Sequence, residues 1–319
     1  MQAFYFLKGD QVVERTIASP DTPVLPGVLW GKPEMLFTPA YWLTQYWMQE
    51  DDFPCRSHRL GKNFEEEVAA CLLGGHGIPA EIGIAAFERL RDRGLLDGGA
   101  PTMDVFAEHL REPLPLRGRQ VVYRFWRQKA KYLSSVLKAV RNQPLPLDSP
   151  GTLREFLRQL PGIGPKTASW IVRNWLGSNE VAILDIHIVR AGQLMGLYTT
   201  ADHVEQHYLR MERRFLELAS AMNVAAADLD SLIWRKMRAT PHLVGRLLND
   251  AVVHTVPAPP IHASPVAAGR KRRPGINNSE SGAPVPPRIL NPRPSAAATR
   301  APWPRSTPAS RSIRDRALR

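Results

Sequence analysis

The chain has 319 residues, a formal net charge of +12 and a hydrophobic content of 44%, which allow about two domains and a sizeable core. Its two cysteines, Cys55 and Cys71, exclude a disulfide framework and a four-cysteine metal site. No apolar run reaches the length of a membrane span, and the first ten residues lack the layout of a secretory signal. We therefore expect a protein of a reducing compartment.

The first 60 residues contain two short apolar stretches and then a run of prolines. The stretches flank the segment Lys8-Gly9-Asp10-Gln11, which predicts a β-hairpin. The prolines predict irregular structure as far as about Thr38. Aromatic residues then recur at helical spacing. This stripe is typical of core packing, and the alternative is a surface that stacks bases; its members are Tyr41, Trp42, Tyr46 and Trp47.

Residues 61–141 carry helical patterns throughout, and the last is a long helix predicted from Val121 to Val140. Its polar face is basic and faces either solvent or a nucleic acid. That face holds Arg124, Arg127, Lys129, Lys131 and Lys138. His58 and His76 stand near the two cysteines, but the spacing fits no zinc pattern, so we predict no metal site.

The stretch from Thr152 to Arg190 is predicted to form a helix, a tight turn and a second helix. Thr152 and Glu155 have the spacing of a capping box. The segment Pro161-Gly162-Ile163-Gly164 ends the first helix, because its glycines permit a tight turn. Pro165 suits the first position of the next helix, and Gly177 predicts its end.

This hairpin would direct the backbone N–H groups of Gly162, Ile163 and Gly164 and of the second helix toward one point. Such a point binds anions, and a nucleic-acid phosphate is the obvious ligand. The alternative is an ordinary connection between two helices, since a single Gly-x-Gly turn is a weak signal.

Two residues near the hairpin favour chemistry over a simple turn. Lys166 lies in the first helical turn, where the positive end of the helix dipole disfavours a protonated amine. Desolvation would lower its pKa further and make a neutral amine nucleophile available. Asp185 follows a short apolar run and precedes another helical pattern, so its carboxylate can cap that helix and face Lys166. The alternatives are a surface cation and a plain N-cap.

Two helices are predicted after Arg190, at Asp202–Met222 and Ala226–Ala239, and a basic tail follows. Residues 251–319 hold twelve Lys and Arg residues against two acidic ones, a net charge of +10, and 13 of the 29 prolines. Such a segment cannot bury a core, so we predict that it is disordered. It either tethers the protein to a polyanion such as DNA or is a solvated extension without a required role.

The segments LPGIGPKTA and AILDIHIVRA, in this order and spacing, resemble the helix-hairpin-helix DNA glycosylase superfamily. The resemblance is to endonuclease III and, more narrowly, to compact 8-oxoguanine DNA glycosylase/AP lyases without an iron–sulfur cluster. It implies that Lys166 is the nucleophile that attacks the sugar C1′. It implies that Asp185 helps to activate Lys166 and stabilises the developing sugar cation.

The segment ADLDSLIWRKM resembles the C-terminal element of those compact enzymes, in which an aspartate and a tryptophan line the base pocket. The resemblance thus implies a pocket in which Trp170 and Trp234 enclose a flipped purine and Asp230 accepts from a base N–H. The alternative is that both tryptophans belong to the core. Members of the family vary at the position of Trp170, so the identity of the base stays open.

We therefore expect a mainly α, two-lobed helix-hairpin-helix DNA glycosylase fold. It would comprise an N-terminal extension (residues 1–60), a helical glycosylase domain (61–250) and a disordered basic tail (251–319). The resemblance implies double-stranded DNA as partner and no iron–sulfur cluster or other cofactor, although a monovalent cation would fit at the hairpin. We expect a cytoplasmic monomer, associated with the nucleoid in a bacterium.

The expected function is bifunctional: release of an oxidised base, foremost 8-oxoguanine, followed by strand cleavage through a lysine Schiff base in base excision repair. One alternative is a glycosylase for another modified base, which would keep Lys166 and Asp185 but change the pocket. The other is a helix-hairpin-helix module that binds DNA without catalysis.

Overall fold

The computed structural model describes residues 1–49, 58–75, 77–99 and 101–254, with backbone alone for 250–254. The described protein is mainly helical, with three small two-stranded antiparallel hairpins. In chain order its elements are β1 (Gln2–Lys8), β2 (Gln11–Ile17), β3 (Pro23–Leu25), β4 (Val28–Leu29), α1 (Pro39–Trp47), α2 (Phe64–Leu73), α3 (Ala80–Asp92), α4 (Met103–Arg111), β5 (Leu114–Leu116), β6 (Arg119–Val121), α5 (Trp126–Asn142), α6 (Pro150–Arg158), α7 (Pro165–Leu176), α8 (Ile186–Leu194), α9 (Val204–Ala221), α10 (Ala226–Ala239) and α11 (Pro241–His254). None of these helices is both long and apolar enough to cross a membrane.

Two separate hydrophobic cores give the protein two lobes. The first core is built mainly from α2 to α7, and Leu72, Leu133 and Ile171 lie at its centre. The second core is built from α8 to α11 together with side chains of the N-terminal segment. Helix α7 belongs to the first core, and α8, which follows it, belongs to the second. The segment between α7 and α8 therefore connects the lobes, and Asp185 stands at the end of that segment.

The N-terminal segment is partly a structural component of the second lobe. Ile17, Val28 and Trp42 are buried in the same core as the side chains of α8 and α10. Trp42, which is 1% exposed, thus follows the core interpretation of the aromatic stripe, whereas Tyr46 and Trp47 are partly buried against the same core. The predicted hairpin forms, with Lys8 paired to Gln11 across a two-residue turn.

The helix boundaries differ from the expected ones in three places. Helix α6 begins at Pro150 and is capped by Ser149, whose hydroxyl accepts from the Thr152 N–H, so the predicted cap at Thr152 was wrong. Helix α5 begins at Trp126, because the preceding residues form the hairpin of β5 and β6. Helix α11 was not predicted and extends beyond residue 250. Cys55, His76 and residues 255–319, with the predicted disordered tail, lie outside the described part.

The basic face predicted on α5 is only partly a surface feature. Lys129 is half-buried, and its ammonium donates to the backbone oxygen of Leu72 at 2.6 Å. Desolvation lowers the pKa of Lys129. This lysine therefore holds the end of α2, whereas Arg124 and Arg127 stack their guanidinium groups on the rings of neighbouring aromatic residues, at 5.2 and 5.1 Å from the ring centroids.

Helix α7 is held by three buried carboxylates, one from each of three other helices. Asn174 donates to Glu67 of α2 at 2.7 Å. Ser169 donates to Glu212 of α9 at 2.9 Å, and Arg173 forms an ion pair with Asp230 of α10 at 3.3 Å. Because a buried carboxylate is stable only when it is paired or hydrogen-bonded, these contacts fix α7 against both lobes.

The Glu212→Ala variant is expected to lose about 3–5 kcal/mol of unfolding free energy. Glu212 accepts from Ser169, from the backbone N–H of Ala182 and from Arg154, so its removal strands buried donors. Denaturant unfolding followed by circular dichroism measures the loss. Glu155→Ala is the matched control, because its pair with Arg158 is exposed and contributes at most about 1 kcal/mol. Equal midpoints for the two variants would contradict this role of Glu212.

Candidate active site

The hairpin between α6 and α7 has the predicted tight geometry. Gly162 has a φ of +80°, and a Cβ atom there would lie 2.2 Å from Cδ2 of Tyr132 on α5. Only glycine satisfies both conditions. Ile163 is buried in the first core and anchors the turn. Gly164 is the N-cap residue of α7 and faces open space, so the hairpin leaves room beside the N-terminus of α7.

Gly162→Ala is expected to lower duplex affinity about tenfold, because strain at positive φ and the clash with Tyr132 move the hairpin backbone. Gly151→Ala is the matched control, since Gly151 lies on α6 outside the hairpin, its φ is not in the left-handed region, and no atom lies within 4 Å of the added Cβ. Fluorescence anisotropy with a labelled duplex measures both affinities. A Gly162→Ala protein that binds like wild type would show that the hairpin does not contact DNA.

Lys166 is in the first turn of α7, immediately after Pro165. Desolvation lowers the pKa of its ammonium, and the negative charge of Asp185 opposes this effect in part. The positive end of the α7 dipole also disfavours the protonated form. The amine is thus shifted toward the neutral, nucleophilic state, within the electrostatic influence of one carboxylate.

Asp185 is the N-cap of α8. Its Oδ1 atom accepts from the backbone N–H groups of His187 at 2.8 Å and Ile188 at 3.0 Å. These bonds fix the carboxylate where its charge acts on both Lys166 and His187. Asp185 is therefore an N-cap, as one interpretation of the sequence predicted, and its carboxylate is also near enough to Lys166 to raise the pKa of that amine.

The structure adds two side chains that we did not select from the sequence. His187 packs edge-on against the ring of Trp234, with centroids 6.5 Å apart. Arg238 lies over the Trp234 ring, its guanidinium carbon 4.9 Å from the ring centroid. Desolvation lowers the pKa of His187, and the charges of Arg190, Arg238 and Lys166 lower it further, against the opposing effect of Asp185. The sequence signals were the Asp-x-His element and the single helical turn between Trp234 and Arg238.

The two tryptophans predicted for the base pocket belong to different lobes. Trp170 is partly buried against the first core, and the edge of its ring lies against Gly74, after the end of α2. Trp234 is partly buried against the second core. Within the described protein the two rings do not contact each other.

Asp230 is buried, and it lies one helical turn before Trp234 on α10. Its Oδ1 atom contacts Arg173 and Ser231, each at 3.3 Å, whereas Oδ2 has no hydrogen-bond partner among the described residues. Desolvation raises the pKa of Asp230 to about 6, although the charge of Arg173 opposes this shift. One carboxylate oxygen is therefore enclosed by the protein without a short hydrogen bond, and the backbone N–H of Ile183 is close enough to lower the pKa of Asp230 in part.

The described residues include no group of three or more His, Cys, Asp and Glu side chains arranged to hold a metal ion. Two surface clefts of about 470 Å³ each lie elsewhere in the first lobe, one beside Trp126 and one beside Phe64. Neither includes Lys166 or Asp185.

The solved structures that resemble this chain include two 8-oxoguanine DNA glycosylases. The 8-oxoguanine DNA glycosylase of Thermotoga maritima is 25% identical, covers 61% of this chain and 94% of its own, and has a TM-score of 0.47. The 8-oxoguanine DNA glycosylase of Methanocaldococcus jannaschii is 22% identical, covers 64% and 94%, and has a TM-score of 0.49. An endonuclease III–DNA complex is 17% identical, covers 61% and 82%, and has a TM-score of 0.44.

The Ogg-HhH family model, described as 8-oxoguanine DNA glycosylase, matches residues 49–224, which is more than half of the chain. The match spans the hairpin, Lys166 and Asp185 and ends before α10, so it includes Trp170 but neither Asp230 nor Trp234. It agrees with the fold class and superfamily inferred from the LPGIGPKTA and AILDIHIVRA segments. The chain belongs to the helix-hairpin-helix 8-oxoguanine DNA glycosylase family.

Proposed function

We propose that this protein is a bifunctional enzyme that excises 8-oxoguanine from double-stranded DNA and then cleaves the strand at the resulting abasic site. The observation that carries the proposal is Lys166, whose desolvated amine is held at the N-terminus of α7 opposite Asp185. Family membership supports the glycosylase step. The lysine supports the lyase step, because a Schiff base requires an amine nucleophile.

In the proposed reaction the damaged nucleotide is rotated out of the duplex, and Lys166 attacks its C1′ atom as a neutral amine. The C1′–N9 bond breaks, and the base departs with its bonding electrons and takes up a proton. The sugar ring opens as the lysine nitrogen forms a Schiff base with C1′. Loss of a C2′ proton then expels the 3′ phosphate by β-elimination, and water releases the enzyme from the sugar.

The charge of Asp185 has two roles in this proposal. It stabilises the positive charge that develops on the sugar as the C1′–N9 bond breaks. It also restrains the fall of the Lys166 pKa, since a negative charge favours the protonated amine. The capping bonds to α8 keep the carboxylate oriented, so little reorganisation is needed during the reaction.

The proposed base pocket lies between Trp170 and Trp234, with Asp230 as an acceptor for a base N–H. In the described structure the Asp230 carboxylate is buried and paired with Arg173, so this role requires that the carboxylate be uncovered when a base enters. The exposed edge of the hairpin at Gly164 would bind a phosphate through backbone N–H groups. No cofactor is needed for this sequence of steps.

The test is borohydride trapping with the full chain on duplexes that carry 8-oxoguanine, thymine glycol or an abasic site, beside undamaged DNA. The proposal predicts a covalent adduct with the 8-oxoguanine and abasic duplexes. An adduct only with the abasic or thymine glycol duplex would preserve the lyase chemistry and refute the base assignment. Binding without any adduct would favour a non-catalytic DNA-binding module.

A further inference from the structure

Arg238 is a charged side chain in the proposed active site that the reaction described above does not use. It is 46% exposed, and its guanidinium lies over the ring of Trp234. Its nearest acidic group is Glu81 of α3, with Nη2 and Oε2 3.7 Å apart, which is too long for a hydrogen bond. Among the described residues no acceptor forms a hydrogen bond with the Arg238 guanidinium.

The contact between Glu81 and Arg238 joins the two lobes. Helix α3 packs in the first core and α10 in the second. Gly83, two residues after Glu81, lies with its backbone against Gly74, and Gly74 in turn contacts the ring edge of Trp170. A series of contacts therefore runs from Trp170 through Gly74 and α3 to Glu81, Arg238 and Trp234, and of the two proposed pocket walls Arg238 directly contacts Trp234.

The charges around Arg238 allow it to exchange Glu81 for another hydrogen-bond acceptor. Glu81 also pairs with Arg117 at 3.1 Å, so it keeps a cationic partner when Arg238 leaves. Arg238 stays near Trp234 in any case, because the two residues are four apart on α10. A planar guanidinium stacked on an aromatic ring presents its N–H donors at the ring edge, which suits an oxygen acceptor of a base bound beside that ring.

We propose that Arg238 binds the extruded base: when a base enters, Arg238 leaves Glu81 and donates a hydrogen bond to a carbonyl oxygen of that base. An oxidised purine such as 8-oxoguanine carries such oxygens at C6 and C8. This inference rests on the proposed function, because it needs a base beside Trp234. It assigns Arg238 to the base and Lys166 to the sugar. Loss of Arg238 should therefore affect only a duplex that carries the damaged base, whereas loss of Lys166 should affect an abasic duplex as well.

The experiment compares Arg238→Met with wild type in the full chain, on a duplex with 8-oxoguanine and on a duplex with a preformed abasic site. Methionine keeps an apolar side chain over Trp234 but has no donor. Excision of 8-oxoguanine, measured as kcat/KM, is expected to fall about ten- to a hundredfold, the effect of a charge-assisted hydrogen bond. Cleavage of the abasic duplex, which has no base to contact, should stay within about twofold of wild type.

Arg213→Met is the control for the loss of one positive charge, because Arg213 is exposed on α9 and forms no hydrogen bond or ion pair within the described protein. If Arg238→Met lost activity equally on both duplexes, the inference would be overturned, and the result would indicate that Arg238 contacts the DNA backbone. Unchanged excision by Arg238→Met, or an equal loss in Arg213→Met, would overturn it as well while leaving the proposed function intact. Wild type that cleaves only the abasic duplex would refute the 8-oxoguanine assignment and the role of Arg238 together.

Discussion

Lys166→Gln is expected to lower both base excision and strand cleavage by at least about a thousandfold, and to abolish borohydride trapping. Glutamine has nearly the length of lysine and fits the same first turn of α7, but its amide nitrogen is not a nucleophile. The loss should therefore appear in the chemical step under single-turnover conditions with saturating enzyme. Duplex affinity should change little, because the hairpin backbone that would bind phosphate is unaltered.

Lys131→Gln is the matched control for that experiment. Lys131 is an exposed lysine on α5, and its substitution removes the same charge from the protein without touching the hairpin. Wild-type activity in Lys131→Gln together with loss of activity in Lys166→Gln would assign the effect to the amine. Trapping that persists in Lys166→Gln would show that another amine, such as Lys129 or the N-terminal amine, forms the Schiff base.

The sequence predicts the backbone geometry around Lys166 and Asp185 well because its determinants are local. Gly162, Pro165 and Gly177 each specify backbone geometry within a few residues, and the structure has the turn, the helix start and the left-handed helix end at these positions. The position of Asp185 as an N-cap also follows from its immediate neighbours. Two short segments thus place Lys166 at the start of α7 and Asp185 at the start of α8. The catalytic roles of both residues remain predictions.

The supporting contacts were not predictable, because they depend on residues far apart in sequence. Asn174 and Glu67 are 107 residues apart, and Arg173 and Asp230 are 57 apart. A single sequence shows Glu67 only as an acidic residue in the first turn of a helix, where acidic residues are usually exposed. The structural role of Trp42 was open for the same reason, since its core partners lie on α8 to α11.

The buried polar contacts also explain why Lys166 can be desolvated without loss of order. Helix α7 carries Lys166 at its start and the residues Ser169, Arg173 and Asn174 along its length. Each of these three contacts a buried carboxylate, so the helix cannot rotate or slide without stranding a charge. The stability that those pairs confer on α7 thus fixes the position of the amine relative to Asp185.

Asp185→Asn is expected to lower 8-oxoguanine excision by about a hundredfold or more. Asparagine is also a good N-cap, and its side-chain oxygen can accept from His187 and Ile188, so α8 should remain capped. The variant therefore removes the negative charge while keeping the helix. The loss should be larger for excision, where a cation develops on the sugar, than for cleavage of a preformed abasic site.

The same variant should also change the pH dependence of the reaction, because the charge of Asp185 acts on the pKa of Lys166. The carboxylate raises the pKa of Lys166 against the dominant effect of desolvation. Its removal should lower that pKa further, so the neutral amine would form at lower pH. In wild type the rate of trapping at a preformed abasic site should increase with pH through the lowered pKa of Lys166, and in Asp185→Asn this increase should occur at lower pH.

Trapping rates measured from pH 6 to about pH 10 give both profiles, with the range set by the ordinary pKa of a lysine. Asp202→Asn is the control, because Asp202 also accepts from a backbone N–H, that of Thr199, and loses the same charge away from Lys166. An Asp185→Asn profile that moves to higher pH would contradict a charge interaction between Asp185 and Lys166. If the Asp185→Asn profile moves to lower pH and excision is also lost, both effects belong to the Asp185 carboxylate. Helix capping alone changes neither the pKa of the Lys166 amine nor the charge near the sugar.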